Sequence, residues 1–351
     1  MNDNGNKGEH KRRVHYSGKY PKKFEEKYKE QSPEKYSETI EHIISKGSTP
    51  AGMHLSIMVE EILEFLSITP GQNGLDATLG YGGHTTAMLE RLEGRGHIVG
   101  LDVDPIESEK TVQRIRNKGY DESIFSMRLT NFANIDKVAE EFGKFDFILA
   151  DLGVSSMQID NPERGFSYKT EGPLDLRLNP TKGVSGAERL KELDYEEIKG
   201  MLIENSDEPY ADEIAYAITK RNKSDRTIEK TTDLKNAVEE ALDFLPADEK
   251  NEAVKKSCAR TFQSLRIDVN REYEVLYELL EKIPEVLKPG GRVAILTFHS
   301  GEDRLVKKSF KNCLKSGEYA KIAEEVTRPS AEECIRNPRS KSTKLRWAVK
   351  A

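Results

Sequence analysis

Three closely spaced glycines form the part of the sequence best suited to hold a ligand. Gly80, Gly82 and Gly83 lie between an apolar stretch at residues 74–77, which favours a buried strand, and a helical pattern. Glycine lets the backbone turn tightly and lets a ligand approach closely. In an open parallel sheet, ligands bind in the crevice outside the carboxyl ends of the strands. This stretch therefore predicts one wall of a nucleotide-type pocket.

An acidic residue at the end of the next predicted strand narrows the choice of ligand. The strand over residues 97–102 ends in Asp102, whose carboxylate can accept hydrogen bonds from ribose hydroxyls. NAD-binding loops of the type Gly-x-Gly-x-x-Gly need a small third residue, and Thr85 occupies that position here. The branched side chain weakens the dinucleotide interpretation. The acid itself suits either NAD or S-adenosylmethionine.

Strand and helix patterns alternate along the chain as far as Asp151. Apolar runs predict strands at 124–129 and 145–151, and helical periodicity predicts helices at 55–66, 85–92 and 135–142. Such alternation indicates a parallel sheet with helices on both faces, which is the α/β class.

The pattern changes after Asp151. Residues 161–260 contain helical patterns at 195–204, 209–220 and 232–245 but no convincing strand, so we predict an all-α insertion. The α/β pattern then resumes with a helix over 270–287, a turn at 288–291 and a strand over 292–298. Two further strands, at 320–326 and 344–349, could form a closing antiparallel pair. The predicted organisation is a polar, basic N-terminal extension at 1–52, a core at 53–160 and 261–351, and a helical insertion at 161–260.

Composition excludes several classes of protein. The 351 residues carry a net charge of -6, which does not indicate a nucleic-acid binder, although basic residues crowd both ends of the chain. The N-terminal cluster suits a solvated tail and an RNA-contacting arm equally well. Three cysteines show neither metal-ligand spacing nor an even number for disulfides, so we expect no metal and a reducing environment. With no export signal and no membrane-length apolar run, we expect a cytoplasmic protein.

Seven short segments, taken in their order along the chain, indicate the protein family more specifically than the glycine loop does. They are DATLGYGGH at 76–84, DLGVSS at 151–156 with Gln158, RGFS at 164–167, GPLDLR at 172–177, RTFQSLR at 260–266, HS at 299–300 with EDR at 302–304, and NPRSKS at 337–342 with KLR at 344–346. Over about residues 53–350 the chain resembles the MraW-type 16S ribosomal RNA cytosine-N4 methyltransferase family. The resemblance implies a Rossmann-like core that uses S-adenosylmethionine, with an inserted helical substrate-recognition domain. It also implies methylation of a cytidine amine in the decoding region of 16S rRNA within the small ribosomal subunit.

The resemblance places cofactor contacts in the loops after the first four strands. Asp102 would hold the ribose and Phe132 would cover the adenine, although ordinary core packing is the alternative for Phe132. The strand-end acids could instead cap helices or form surface ion pairs. Together with Gly80 from the glycine loop, the predicted contacts are Gly82, Gly83, His84, Asp102, Phe132, Asp151 and Gln158.

Methylation of a cytidine amine depends on positioning of the two substrates more than on covalent catalysis by the enzyme. The lone pair of cytosine N4 is delocalised into the ring, so the enzyme must align the amine with the methyl group and accept its hydrogen bonds. We hypothesise that Asp151, with Ser155 or Ser156, lies near this amine. Many amino methyltransferases carry an Asn/Asp-Pro-Pro-aromatic segment here, whereas this chain reads Asp-Leu-Gly-Val. His84 and His299 suit a general base or a structural histidine.

Several basic residues of these segments are candidates for RNA contact. A guanidinium or ammonium group could bind phosphate or pair with nearby acids, and a flipped base would be clamped by the helical insertion. The candidates are Arg164, Arg177, Arg260, Arg266, Arg304, Lys341 and Arg346.

The chain departs from the family pattern at three places. It reads HLSIM at 54–58 where the family has His-x-Pro-Val-Leu, it has Gly301 where leucine is usual, and about fifty extra residues precede the core. These departures suggest a diverged second copy acting on the same or a neighbouring RNA site. A methyltransferase with another RNA, DNA or protein substrate and a non-catalytic RNA-binding assembly factor are the alternatives. Monomer and homodimer both remain open.

Overall fold

A seven-stranded sheet forms the centre of the computed structural model, which describes residues 56–351. The sheet order is β3-β2-β1-β4-β5-β7-β6; the first five strands of the chain run parallel, and β7 lies antiparallel between β5 and β6. The predicted parallel sheet and its closing antiparallel pair are confirmed. The strands are β1 (Asn73–Asp76), β2 (His97–Asp102), β3 (Phe125–Leu129), β4 (Phe145–Asp151), β5 (Leu287–Thr297), β6 (Tyr319–Ile322) and β7 (Lys344–Lys350).

Helices cover both faces of this sheet. Ile148 and Ala150 of β4 belong to one hydrophobic cluster, together with residues of α4 and α11. Phe147 and Leu149 belong to another, with residues of α1 and α2. Because successive strand side chains point to opposite faces, the two clusters lie on opposite sides of the sheet, as in a Rossmann-like fold. The helices are α1 (Val59–Leu66), α2 (Gly83–Leu92), α3 (Pro105–Asn117), α4 (Ile135–Phe142), α5 (Ser156–Asp160), α6 (Gly186–Glu192), α7 (Tyr195–Ser206), α8 (Ala211–Asn222), α9 (Thr231–Ala241), α10 (Ala247–Asn270), α11 (Glu272–Val286), α12 (Ser300–Ser316) and α13 (Ala331–Arg336).

The chain between β4 and β5 is helical, as predicted, and has its own hydrophobic cluster. Buried residues of α6 to α10 form this cluster, separate from the two that cover the sheet. The sequence did not predict α10, whose first half is polar, as a helix. This continuous helix crosses the predicted boundary at residue 260, because Phe262 and Leu265 still pack in the helical cluster.

Two local features differ from the prediction. The helix expected from residue 270 begins at Glu272, because Arg271 takes a left-handed conformation (φ 51°) between α10 and α11. The turn expected at 288–291 is a bulge inside β5, where Phe145 pairs with Leu287 and Phe147 pairs with Arg292. The predicted N-terminal extension lies outside the described residues. Among helices of residues 56–351, none combines the length and the apolar character that a membrane crossing requires.

Candidate functional site

A cavity of about 530 Å³ lies at the carboxyl ends of the parallel strands. The strand order reverses between β1 and β4, and the loops after both strands line the cavity, as expected for a ligand crevice in an open α/β sheet. Helices α10 to α12 and residues 337–342 contribute the other walls. The predicted cofactor and catalytic residues that line it are Gly80, Gly82, Gly83, His84, Asp102, Phe132, Asp151, Ser155, Ser156 and Gln158.

The glycine loop has one less crowded position, Gly80, and two tightly packed positions, Gly82 and Gly83, where an added Cβ would come within 2.7 and 2.0 Å of a neighbouring side chain. At Gly80 (φ 48°), the nearest atom to an added Cβ would be the carbonyl oxygen of Thr78, 3.7 Å away. At Gly82 (φ 80°), an added Cβ would come within 2.7 Å of the Thr111 side chain. Packing alone therefore accounts for Gly82, whereas Gly80 leaves space that a ligand could use.

The branched residue that weakened the NAD interpretation has a structural role. Thr85 donates a hydrogen bond of 2.6 Å from its hydroxyl to the carboxylate of Asp76, which is buried at the end of β1. The backbone N–H of Thr78 donates to the other oxygen of Asp76 at 3.1 Å. Burial nevertheless raises the pKa of Asp76. The Thr85 hydroxyl thus links α2 to β1. A dinucleotide-binding motif has glycine at this position, and its side chain could not make this hydrogen bond.

Asp102 is held with both carboxylate oxygens toward the cavity loops. One oxygen accepts the backbone N–H of Gly80 at 2.9 Å and the other accepts that of Asp104 at 2.9 Å. Burial raises the pKa of Asp102 to about 6, although these two hydrogen bonds act in the opposite direction. Each oxygen can accept a further hydrogen bond, as a ribose diol would require. Phe132 lines the cavity from the 3₁₀ turn after β3.

Ser155 and Gln158 form a capping box at the start of α5. The Ser155 hydroxyl accepts the N–H of Gln158 at 3.2 Å, and the Gln158 side-chain oxygen accepts the N–H of Ser155 at 2.9 Å. The Gln158 amide group also donates to Asp104 at 3.2 Å. Both residues line the cavity, but the hydrogen bonds of their side chains fix the start of α5 and, through Gln158, join it to Asp104. The Ser-x-x-Gln pattern is a capping signature that the sequence analysis did not use.

Asp151 lines the cavity, and one oxygen of its carboxylate is buried without a hydrogen-bond partner among residues 56–351. Its backbone N–H donates to the Thr78 hydroxyl at 2.6 Å, which joins the end of β4 to the loop after β1. Its Oδ2 lies 3.5 Å from Nδ1 of His84, while Oδ1 is buried without a hydrogen-bond partner among residues 56–351. Burial raises the pKa of Asp151 to about 6; His84 lowers it, and the charges of Asp76 and Glu302 raise it further. A buried unpaired acceptor is costly, so a rotation of the carboxylate that brings Oδ1 to an N–H donor in the cavity would be favourable.

The position of His84 is fixed on both sides of the imidazole. Nε2 lies 2.9 Å from the carbonyl oxygen of Ile57. Because a carbonyl only accepts, Nε2 carries a hydrogen, and Nδ1 faces Asp151. Nδ1 of His84 therefore lies beside the carboxyl of Asp151, and the structural role and the role as general base both stay predictions for this histidine.

Four charged residues on the cavity wall form a cluster that the sequence alone does not reveal. Arg266 donates to both carboxylate oxygens of Glu272 at 2.7 and 2.8 Å, and Nε2 of His299 lies 3.1 Å from Glu302. Burial acts to raise the pKa of Glu302, but His299 and Arg266 hold it below its usual value. Donor atoms of Glu272, His299 and Glu302 lie within 4.8 Å of one another. Because Arg266 bonds both carboxylate oxygens of Glu272, and His299 lies beside Glu302, ion pairs hold this cluster together. In the sequence the four residues form two separate pairs, Arg266 with Glu272 and His299 with Glu302, and only the fold brings the pairs together.

Two of the predicted RNA contacts, Arg164 and Arg346, form buried ion pairs, which agrees with the alternative that these arginines pair with acids. Arg164 donates to Asp104 at 2.6 Å and to the carbonyl oxygens of Arg177 and Leu178 at 3.0 and 2.9 Å. Arg346 donates to Asp303 at 2.6 Å. Both arginines are buried, so neither has a surface on which to meet a phosphate. The sequence shows their charge but not their burial.

The other predicted RNA contacts differ in accessibility. Arg266 faces the cavity, Arg177 pairs with Asp175 at 2.7 Å, and Arg260 lies 3.9 Å from Glu208. Arg304 and Lys341 are exposed. RNA contact remains a prediction for these five residues.

The unusual glycine at position 301 makes room for Tyr273. An added Cβ would lie 1.9 Å from the Tyr273 hydroxyl oxygen and 2.6 Å from the ring carbon that carries it. That hydroxyl donates to the carbonyl oxygen of Asn205 at 3.0 Å, so the ring is anchored. The departure from the family pattern is therefore matched by a neighbouring aromatic side chain.

We predict that Gly301→Ala lowers the free energy of unfolding by about 1–3 kcal/mol, because the anchored ring must shift. Gly200→Ala is the matched control: its Cβ would meet nothing within 4 Å in α7, and alanine favours a helix by about 0.5–1 kcal/mol. Urea unfolding followed by circular dichroism would compare them. Equal stability of the two variants would contradict the packing argument.

Comparisons with known proteins show which family the sequence matches. Residues 51–351 match the family described as the MraW methylase family. Ribosomal RNA small subunit methyltransferase H 1 of Agathobacter rectalis is 65% identical over 343 residues, which cover 98% of each chain. Ribosomal RNA small subunit methyltransferase H 2 of Alkaliphilus metalliredigens is 57% identical over 340 residues, 97% of each chain. Ribosomal RNA small subunit methyltransferase H of Heliobacterium mobile is 38% identical over 315 residues, which cover 85% of this chain and 98% of that relative.

Proposed function

Because the chain belongs to the MraW methylase family, we propose that it methylates the N4 amine of a cytidine in the decoding region of 16S rRNA, the cytosine-1402 type of site. Family membership makes it an S-adenosylmethionine-dependent methyltransferase of small-subunit ribosomal RNA. The proposed substrate is the small subunit in the cytoplasm. The observation that carries the choice of an amine is Oδ1 of Asp151, a buried acceptor without a partner in the described part of the chain.

The cavity residues fit the cofactor. S-adenosylmethionine supplies an electrophilic methyl group. We propose that the free acceptor positions of Asp102 bind the ribose hydroxyls and that Phe132 covers the adenine. The open side of Gly80 leaves space for the ligand next to Asp102, and the two residues are joined by a hydrogen bond of 2.9 Å. Gly82, Gly83, His84 and Gln158 then act mainly by shaping these loops.

Asp151 is proposed to orient the amine. The lone pair of cytosine N4 is delocalised, and an acceptor for its N–H groups increases electron density on nitrogen as the new bond forms. After a rotation of its carboxylate, Asp151 can accept one N–H through Oδ1, while the Thr78 hydroxyl holds its backbone N–H in place. Transfer of the methyl group leaves a proton to be removed from nitrogen. With a pKa of about 6, Asp151 can take this proton and release it to water near neutral pH.

The substrate proposal predicts a specific change in cells. Mass spectrometry of nucleosides from 16S rRNA should show less N4-methylcytidine when this gene is deleted. Small subunits from the deletion strain should regain the nucleoside after incubation with purified protein and labelled S-adenosylmethionine. Unchanged N4-methylcytidine, with cofactor binding retained in calorimetry, would contradict the substrate. Binding to the subunits without methyl transfer would instead indicate an assembly factor.

A further inference from the structure

One face of α12 carries five exposed cations. An α-helix turns by about 100° per residue, so the spacing of these residues places all five within a stripe about 100° wide. The opposite face carries the buried residues Glu302, Val306 and Phe310. We call the stripe the basic face; its members are Arg304, Lys307, Lys308, Lys311 and Lys315.

Most charges of the basic face have no ion-pair partner among residues 56–351. Within residues 56–351, only Arg304 has a carboxylate at ion-pair distance, that of Asp207 at 3.3 Å. The two acidic residues of α12, Glu302 and Asp303, are buried on its other side. Like charges three or four residues apart disfavour a helix by about 0.2–0.5 kcal/mol for each pair. The arrangement therefore lowers the stability of α12.

In the other helices of residues 56–351, most lysines have a carboxylate at ion-pair distance, although Lys137, Lys220 and Lys255 do not. Lys110 pairs with Glu107 at 2.9 Å and Lys235 pairs with Glu239 at 3.1 Å, each within one turn. Lys256 pairs with Glu252 at 3.3 Å. Local pairing is thus the usual arrangement on these helices, and α12 is an exception in a chain whose net charge is -6.

The position of α12 connects the basic face to the cavity. His299 and Glu302, at the start of the helix, both line the cavity. Arg304 follows within one turn, and the stripe extends about 16 Å farther along the helix to Lys315. A polymer seated on the basic face would therefore approach the cavity at one end.

We propose that the basic face binds the sugar–phosphate backbone of the RNA next to the nucleotide that enters the cavity. The inference rests on the proposed function and adds the surface that holds the substrate. Lysine ammonium groups bind phosphate as point charges without reading sequence. A base pulled from its stack leaves its neighbours to be held by backbone contacts, which a row of cations beside the cavity supplies. Specificity for the base remains with the cavity.

The test compares a variant that lacks four charges of the basic face with a control variant that lacks four charges elsewhere. The variant carries Lys307→Gln, Lys308→Gln, Lys311→Gln and Lys315→Gln. The control carries Lys110→Gln, Lys235→Gln, Lys250→Gln and Lys256→Gln, which change net charge equally at lysines paired with acids elsewhere. The probe is the small subunit from the deletion strain, and both binding and methyl transfer are measured against salt concentration.

We expect the basic-face variant to raise KM for subunits at least about tenfold while kcat and S-adenosylmethionine affinity stay within about twofold. Each lost phosphate contact reduces the slope of log K against log salt by about 0.7–0.9, so four should reduce it by about 3. The control should keep both the KM and the slope. Should the fourfold variant not fold, the pairs Lys307→Gln/Lys308→Gln and Lys311→Gln/Lys315→Gln should each give about half the slope change.

Two results separate the inference from the proposed function. If the unaltered protein methylates the subunits and the variant retains its KM and salt slope, the basic-face inference is wrong and the proposed function stands. An equal loss in the control would also overturn the inference, because any lost charge would then suffice. If the unaltered protein leaves the subunits unmethylated, both proposals fail.

Discussion

Asp151→Asn should abolish methyl transfer and, at the same time, make the ligand-free protein more stable. Loss of a positioned acceptor and proton carrier is expected to lower kcat by about 10²–10⁴-fold. The stability gain arises because burial raises the pKa of Asp151 from 3.8 to about 6, so its charged form is unfavourable in the folded protein. Removing that charge should add about 1–3 kcal/mol to the free energy of unfolding at pH 7–8.

The pH dependence of the two effects provides a second check. Activity of the unaltered enzyme should rise as pH increases through about 6, where the Asp151 carboxylate forms. The stability cost of this group is complete above its folded pKa and absent below its unfolded pKa near 4. The stability difference between variant and parent should therefore shrink as pH falls from 7 to 4. Urea unfolding over that range would measure it.

Asp102→Asn is the matched control for Asp151→Asn. Its pKa is also raised to about 6 by burial. Both of its carboxylate oxygens accept backbone N–H groups, and an asparagine side chain can accept only one of the two, so we expect a smaller stability gain than for Asp151→Asn. Its functional effect should instead be a weaker affinity for S-adenosylmethionine. If calorimetry shows that Asp151→Asn loses cofactor binding together with methylation, Asp151 acts in cofactor binding alone and the amine proposal is wrong.

Arg164→Met should destabilise the fold by about 3–5 kcal/mol. Removing one partner of a buried ion pair leaves an uncompensated charge, here that of Asp104. The substitution also leaves the carbonyl oxygens of Arg177 and Leu178 without their hydrogen-bond donor. A loss of this size is a large share of the 5–15 kcal/mol typical of folded proteins. Urea unfolding would measure it.

Arg304→Met is the matched control for Arg164→Met. Its ion pair with Asp207 is exposed, and such pairs contribute about 0–1 kcal/mol. A loss below about 1 kcal/mol for Arg164→Met would show that the buried contacts do not depend on this side chain. RNA binding that falls in Arg164→Met at unchanged stability would restore the phosphate-contact prediction.

Periodicity and chain order allowed much of the core to be predicted. Apolar runs located β2 and β4 at their observed bounds, and helical periodicity located α4 correctly. α10 was missed because its first half, at 247–256, is too polar to show an apolar face. In α10, tertiary contacts made by the second half stabilise the whole helix.

The sequence was enough to predict which residues line the cavity, but it was not enough to predict what each of them does there. The glycine loop and the strand-end acids locate the cavity because parallel strands end at one edge. Sequence does not show that Arg164 meets Asp104 sixty positions away, nor that Oδ1 of Asp151 lacks a partner in the described chain. Both facts depend on burial, which is set by the complete fold.

The helical segment between β4 and β5 also affects how the sheet is assembled during translation. Ile148 pairs with Val293, so the edge of β4 waits for about 140 further residues. At about 5–20 residues per second, this takes roughly 7–30 s. An unpaired strand edge can recruit other chains, and long loops slow the closing of a sheet. The separate hydrophobic cluster of α6 to α10 gives the intervening segment a means to collapse early, which shortens the distance that β5 must search.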